Sequence, residues 1–272
     1  MMITVLYGGE GSEREVSLRS GAAVTSAFAE RGREVVAVDL RRKEDFLPLL
    51  REENVEFAFI ALHGGWGEDG TIQAALEMAG IPFSGSGHAA CALAMDKTAS
   101  KALFRWKGIS VPKGIEVERG SGVRAVLDNP HFPPLLERCG KIVVKPCCSG
   151  STVGVSILSG TDTLAEALEE AFAYDPRVLV EEYVPGRELT VTVHEKNGAP
   201  RCLPVIEIQP VTGFYDYSSK YTPGASEYLV PAPLSEYALR RVEQASLAAH
   251  AAFGCSPYSR VDLRLDEEGI PS

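Results

Sequence analysis

The sequence has no basic tract. Its 27 lysines and arginines stand against 37 aspartates and glutamates, a net charge of −10 over 272 residues. A chain of that sign is a poor partner for a phosphate backbone, so no nucleic-acid role is expected. No apolar run approaches the ~20 residues that a membrane-crossing helix requires. The best candidate, Phe57 to Leu62, is strand-sized. The opening residues, MMITVLYGGEG, lack the basic lead-in and long apolar segment of a secretory leader, and a cytoplasmic protein is expected. Cys91, Cys139, Cys147, Cys148, Cys202 and Cys255 are scattered, with no C-x-x-C pair. That argues against a disulfide scaffold or a thiolate zinc site and fits reduced thiols. Internal repeats and low-complexity tracts are also lacking.

What is present belongs to a folded α/β protein. A hydrophobic fraction of 45% with 24% charged residues leaves enough side chain to bury and excludes global disorder. The length exceeds what one core usually fills, so two or three packed units are expected. Ile3 to Tyr7 is an apolar run halted by Gly8-Gly9 and predicts a buried strand. Helical spacing follows over 13–31, then a strand over 34–40, a helix over 43–53 and a strand over 56–62. This β-α-β-α-β order predicts a parallel sheet whose active loops lie beyond the strand ends, at 8–12 and 63–70. Further on, the pattern predicts a helix over 95–108, two strands within 140–158, a helix over 164–173 and a strand over 178–183. The last third carries predicted strands over 188–195, 202–208 and 259–265, and a helix over 235–253.

Five stretches have the residue types that chemistry needs. Gly8-Gly9-Glu10-Gly11-Ser12-Glu13 places Arg14 where a dinucleotide-binding G-x-G-x-x-G would have its last glycine. Ser12 and Glu13 fit a helix cap and a dipole-matched carboxylate, which local sequence favours; Glu13 could instead hold a substrate ammonium. His63 to Gly70 has four glycines, two carboxylates and an imidazole in eight residues, as expected of a cleft-lining loop. Lys145 to Gly154 is a Ser/Gly/Thr-rich turn between strands. It suits either a plain hairpin or a phosphate grip made of backbone N–H groups and hydroxyls, and it is not a Walker loop. Phe214 to Tyr221 holds four aromatics and Lys220. In Arg260-Val261-Asp262-Leu263-Arg264, strand alternation puts the three charged residues on one face. Arg260 and Asp262 could be a salt bridge, or a phosphoryl-binding cation beside a metal-ligand carboxylate.

Taken in order, these strings are highly specific. YGGEGSEREVSLRSG, ALHGGWGEDGTIQAALEMAGIPFSGSG, AMDKTASK, VVKPCCSGSTVG, VEEYVPGRELTV, FYDYSSKY and SRVDL resemble those of the D-alanine–D-alanine ligase family of the ATP-grasp superfamily, from Val5 to Asp262. The resemblance implies an α/β ATP-grasp fold: an N-terminal parallel-sheet α/β domain (1–94), then two α+β subdomains (95–183 and 184–272) that sandwich ATP. It implies ATP and Mg2+ (or Mn2+), D-alanine as substrate, a homodimer, and two D-alanines joined through an acyl phosphate for peptidoglycan precursors.

Position by position, Glu13 matches the carboxylate anchoring the first ammonium. Ser151 and Tyr221 match hydroxyls ordering the site, and His63 the imidazole beside the first substrate. Ser17 belongs to the same N-terminal motif and is expected to act behind it. Lys97, Lys145 and Lys220 match the phosphate-neutralising lysines. Ser149, Gly150 and Thr152 lie in the loop that closes over those phosphates. Glu181 and Glu188 match adenine and ribose contacts, Arg260 the cation at the transferring phosphoryl group, and Asp262 a magnesium ligand. Tyr221 fits the dipeptide-forming type; relatives that form the D-alanyl-D-lactate ester have Phe there.

The chain departs from the pattern at Cys147-Cys148, Glu182 and Pro257. It stops at Ile270-Pro271-Ser272, before the strand that carries Glu and Asn metal ligands in the family. A non-catalytic nucleotide- or D-amino-acid-binding remnant is therefore the alternative expectation.

Overall fold

The computed structural model describes residues 1–11, 13–52, 54–211, 222 and 224–272, with the side chains of residues 51 and 52 excepted. The chain divides into two compact units. The first is Met1–Ala94 with Gly254–Ser256, and the second is Met95–Phe253 with Pro257–Ser272.

The first unit is built on strands β1 (Ile3–Gly8), β2 (Val35–Leu40) and β3 (Phe57–Ile60), in the order β2-β1-β3 and all parallel. Helices α1 (Arg14–Glu30), α2 (Phe46–Glu52), α3 (Thr71–Ala79) and α4 (His88–Met95) accompany them. β1 is the middle strand and is apolar at successive positions because both of its faces are covered. Ile3 and Val5 join a cluster with Ala61, Val24 and Phe28. Leu6 joins Leu40, Phe46, Ala58, Ile72 and Leu76 on the other face.

The chain turns from β1 into α1 on a tied end. Ser17 is fully buried; its hydroxyl accepts from the Gly8 N–H at 2.8 Å and donates to the Ala61 carbonyl at 2.7 Å. One side chain thus fixes the ends of two strands to the helix. Arg14, the residue that breaks the glycine fingerprint, pairs its guanidinium with Asp39 at 2.9 and 2.7 Å.

The second unit has two antiparallel sheets. The first is β4 (Gly114–Glu118), β7 (Arg177–Glu182), β5 (Lys141–Pro146) and β6 (Ser156–Ser159), in that order. Its core face carries Ile115, Val117, Ile142, Val144, Val178 and Val180. These pack with residues of α6 (Gly122–Leu127), α7 (Pro133–Glu137) and α8 (Leu164–Phe172). The opposite face carries Val143, Lys145, Leu179 and Glu181 by register. The second sheet runs β11 (Ser226–Leu229), β10 (Ile206–Pro210), β8 (Arg187–Lys196) and β12 (Tyr258–Leu265), with β9 (Ala199–Cys202) paired to β8. The long helix α9 (Glu236–Phe253) covers it through Ala238 and Val242 against Leu189, Val191 and Leu263. α5 (Lys97–Trp106) meets this helix through Phe104 and Phe253, ring centroids 4.8 Å apart.

The predicted strand over 202–208 is two strands instead. β9 ends at Cys202 and β10 begins at Ile206. Pro204 lies in the gap, where it has no N–H to give a ladder. The predicted helix over 43–53 starts as a 3₁₀ turn, Lys43–Asp45, before α2. Among the described residues, no helix is long and apolar enough to cross a membrane.

Candidate functional site

In the first unit the chemistry gathers where β1 and β3 end. Glu13 occupies the N-cap position of α1 but makes no side-chain cap hydrogen bond. Glu13 thus stands at the helix start, where a dipole-matched carboxylate is expected, without capping the helix through its side chain. Its buried carboxylate instead lies against Gly64 of the loop after β3: a Cβ there would fall 2.5 Å from Oε2. His63, one residue earlier, has Nε2 3.0 Å from the Ser20 hydroxyl and Nδ1 3.9 Å from Glu68. The β1–α1 turn and the glycine loop thus present a carboxylate and an imidazole together. Ser12 lies outside the described residues.

In the second unit α5 delivers the first lysine. Asp96 caps this helix, accepting from the N–H groups of Thr98 and Ala99 at 3.0 Å each. Its other oxygen takes the Arg177 guanidinium at 2.6 Å. Fixed in this way, Lys97 turns its ammonium to the loop after β5 and donates to the carbonyls of Pro146 (3.1 Å), Cys147 (3.3 Å) and Ser149 (2.6 Å). Burial, and then the nearby Lys145 charge, pull its pKa down to about 8.

Asp175 holds the same loop by accepting from the Cys148 N–H at 2.6 Å. Ser151 and Thr152 are left-handed, with φ of 50° and 62°. That conformation is uncommon for such residues, and with β5 ending at Pro146 and β6 starting at Ser156 the connection is too long for a two-residue hairpin. Cys147 is buried beneath it, its thiol pushed up to about 11 by burial.

Lys145 and Glu181 stand on the same sheet face. Glu181 is 5% exposed, and each of its oxygens carries a lysine, Lys145 on Oε1 and Lys101 on Oε2. Burial alone would raise this carboxyl, but the two ammonium groups outweigh it and hold it below the ordinary range. Glu182 points elsewhere and accepts the Lys113 N–H at 2.8 Å.

On the β8–β12 face, Glu188, Thr190, Asp262 and Arg264 lie side by side by register. Asp262 accepts from Thr190 at 2.8 Å and pairs with Arg260 at 3.0 Å. Arg264 lies 3.5 Å from Glu188. Lys220 and Tyr221 lie outside the described residues.

Sequence reasoning missed Lys101, Asp96 and Arg177. Two of the three had a signal: an aspartate before a helix is a cap, and Lys101 shares a helix face with Lys97 at i+4. Arg177 had none in local sequence.

Comparison with known proteins decides the family. The family described as "D-ala D-ala ligase C-terminus" matches residues 135–271, and "D-ala D-ala ligase N-terminus" matches residues 44–86. The D-alanine–D-alanine ligase of Syntrophotalea carbinolica is 45% identical over 98% of this chain and 83% of that protein. The chain belongs to the D-alanine–D-alanine ligase family.

The family's ligase from Desulforudis audaxviator is 46% identical over 96% of this chain and 83% of its own. Among solved structures, the Bacillus anthracis ligase complexed with ATP superposes with a TM-score of 0.83 at 32% identity, covering 100% of this chain and 84% of that one. A D-Ala:D-Ser ligase from Enterococcus faecalis gives a TM-score of 0.79 at 28% identity, covering 99% and 88%. The parallel and antiparallel sheets described above are those of the ATP-grasp fold.

Proposed function

We propose that the chain is an ATP-dependent ligase that joins two D-alanines into D-alanyl-D-alanine for peptidoglycan precursors. The observation that carries this reading is the convergence of Lys97, Lys145 and the shaped 147–154 loop in one cluster, within a chain of this family. Loss of Lys97 or Lys145 to alanine removes a charge-assisted phosphate contact and should weaken ATP use by about 2 kcal/mol or more.

The proposed roles are those that the family resemblance assigns to these positions. Glu13 holds the ammonium of the first D-alanine, with His63 beside it. Ser151 and Tyr221 order that substrate. The carboxylate of the first D-alanine attacks the γ-phosphorus of ATP and ADP leaves. The amine of the second D-alanine then attacks the acyl phosphate carbon, and the tetrahedral intermediate collapses with release of phosphate. Lys97, Lys145 and Lys220 neutralise phosphate oxygens, and Ser149, Gly150 and Thr152 add loop donors. Arg260 faces the transferring phosphoryl group. Glu181 and Glu188 receive adenine and ribose. Positioning and charge compensation supply most of the acceleration.

Among the described residues no group of three His, Cys, Asp or Glu side chains could by itself hold a metal ion, so a magnesium ion here would rest on Asp262 with phosphate oxygens and water. Asp262 is an exposed hard-oxygen donor oriented by Thr190 and paired with Arg260. Mg2+ keeps several waters and phosphate oxygens and so needs few protein carboxylates. Asp262 would hold it, and the ion would supply charge neutralisation at the phosphates. Three functional parts, 1–94, 95–183 and 184–272, a homodimer and a cytoplasmic location complete the proposal.

Incubation with ATP, Mg2+ and D-alanine tests it by product analysis. D-alanyl-D-alanine and ADP in equal amounts are expected. A D-lactate ester formed in preference would contradict the role given to Tyr221, and ATP binding without any dipeptide would overturn the ligase reading.

A further inference from the structure

Lys101 has no part in the roles assigned so far, yet it is among the most buried charged side chains of the protein, 7% exposed. It sits one helical turn beyond Lys97 on α5, and its ammonium is committed to Oε2 of Glu181. Lys145 takes the other oxygen and is the more accessible of the two lysines. Around one buried carboxylate there are thus two ammonium groups in contact, with Lys97 close enough to feel the Lys145 charge. This local surplus of positive charge suits an incoming polyanion.

The arrangement raises a question of charge balance. Lys145 has a phosphate to neutralise when ATP binds; its ammonium has three donors and only one is on Glu181, but a phosphate that draws the ammonium toward itself weakens its hold on that carboxylate. If Lys145 were the sole partner of Glu181, its departure would leave a buried carboxylate without a counter-ion, which is strongly unfavourable. With Lys101 in place the departure leaves a complete one-to-one pair. It also frees Oε1, an acceptor whose direction is still fixed through Oε2.

We infer that Lys101 is a positioning residue for the nucleotide: it keeps the Glu181 carboxylate fixed and compensated while Lys145 transfers from Glu181 to a phosphate, leaving Oε1 to accept the adenine amino group. This rests on the ATP-dependent reading above. Purine discrimination then depends on Lys101, because guanine offers a carbonyl where adenine offers an amino group. A carboxylate that is pinned and acceptor-only rejects that carbonyl, whereas one that protonates or swings away tolerates it.

The test uses Lys101→Met and Lys101→Arg, with equilibrium binding of ATP and GTP measured beside steady-state turnover. Lys101→Met should weaken ATP binding about tenfold or more, as for removal of one partner of a buried ion pair. It should narrow the ATP-to-GTP preference, raise KM for ATP more than it lowers kcat, and leave KM for D-alanine unchanged. Lys101→Arg should restore most of the preference. Lys101→Met/Glu181→Gln should recover the thermal stability lost by Lys101→Met without recovering the preference. Wild-type ATP-to-GTP preference in Lys101→Met would overturn the inference. So would a Lys101→Arg protein that folds like the wild type and still lacks the preference. Because binding is read separately from dipeptide formation, a protein that selects ATP through Lys101 but makes no dipeptide would sink the ligase reading and leave this one standing.

Discussion

A methyl group on Gly64 would fall 2.5 Å from Oε2 of Glu13. The glycine has φ of 66°, a left-handed value that L side chains avoid, and the carboxylate occupies the space a side chain would need. Gly64→Ala should therefore lower stability by about 1–3 kcal/mol and displace the carboxylate. Thermal unfolding checks the first effect. A raised KM for D-alanine, with KM for ATP unchanged, checks the second.

The Asp96 carboxylate links a helix cap to Arg177. Burial pushes its pKa up, but the Ala99 N–H and the Arg177 guanidinium outweigh burial and hold it below the ordinary range. A carboxyl lowered on folding adds stability above its unfolded pKa, and that stability is lost as pH falls through the folded value. Asp96→Ala should cost about 1–2 kcal/mol at neutral pH. The difference from the wild type should shrink below about pH 4. Urea melts at several pH values measure it, and a pH-independent difference would refute the linkage. Because the cap aims Lys97 at the loop, KM for ATP should rise as well.

Lys97 works in the opposite sense. With a folded pKa of about 8 against an ordinary 10.5, the unfolded chain binds more protons between those values, so stability from this group rises with pH there. A phosphate ligand needs the charged form. Above pH 8, ATP binding should take up a proton and weaken with rising pH. Calorimetry in two buffers of different ionisation enthalpy would show the uptake. Lys97→Arg, which stays charged, should abolish it.

Asp262 offers one oxygen to Thr190 and one to Arg260. Asp262→Asn keeps the shape and removes the charge. It should raise the Mg2+ concentration for half-maximal turnover by about tenfold, the worth of one charged contact. An unchanged magnesium dependence would remove Asp262 from the proposed donor set.

Much of the fold was legible because its signals are local. The apolar run of β1, the helical spacing of α1 and the alternation of Arg260, Asp262 and Arg264 each report burial on a fixed period. The break between β9 and β10 was missed: Pro204 signals it, but an otherwise strand-like composition led to one strand over 202–208. The contact of Glu13 with Gly64 was hidden for a different reason. A carboxylate at a helix start looks like a cap, and the residue that competes for it, Gly64, is brought there only by parallel pairing of β1 with β3. Lys101 likewise has no meaning until β7 places Glu181 against α5. Residue type and spacing mark which side chains carry chemistry; which partner each one answers to is a tertiary fact.

In the proposed reaction the D-alanine carboxylate attacks ATP before the amine attacks the carboxylate carbon. D-alanine labelled with 18O in its carboxyl group tests this directly. One labelled oxygen is expected in the inorganic phosphate for each dipeptide formed, because the bridging oxygen of the acyl phosphate leaves with phosphorus. Dipeptide formed alongside unlabelled phosphate would contradict it.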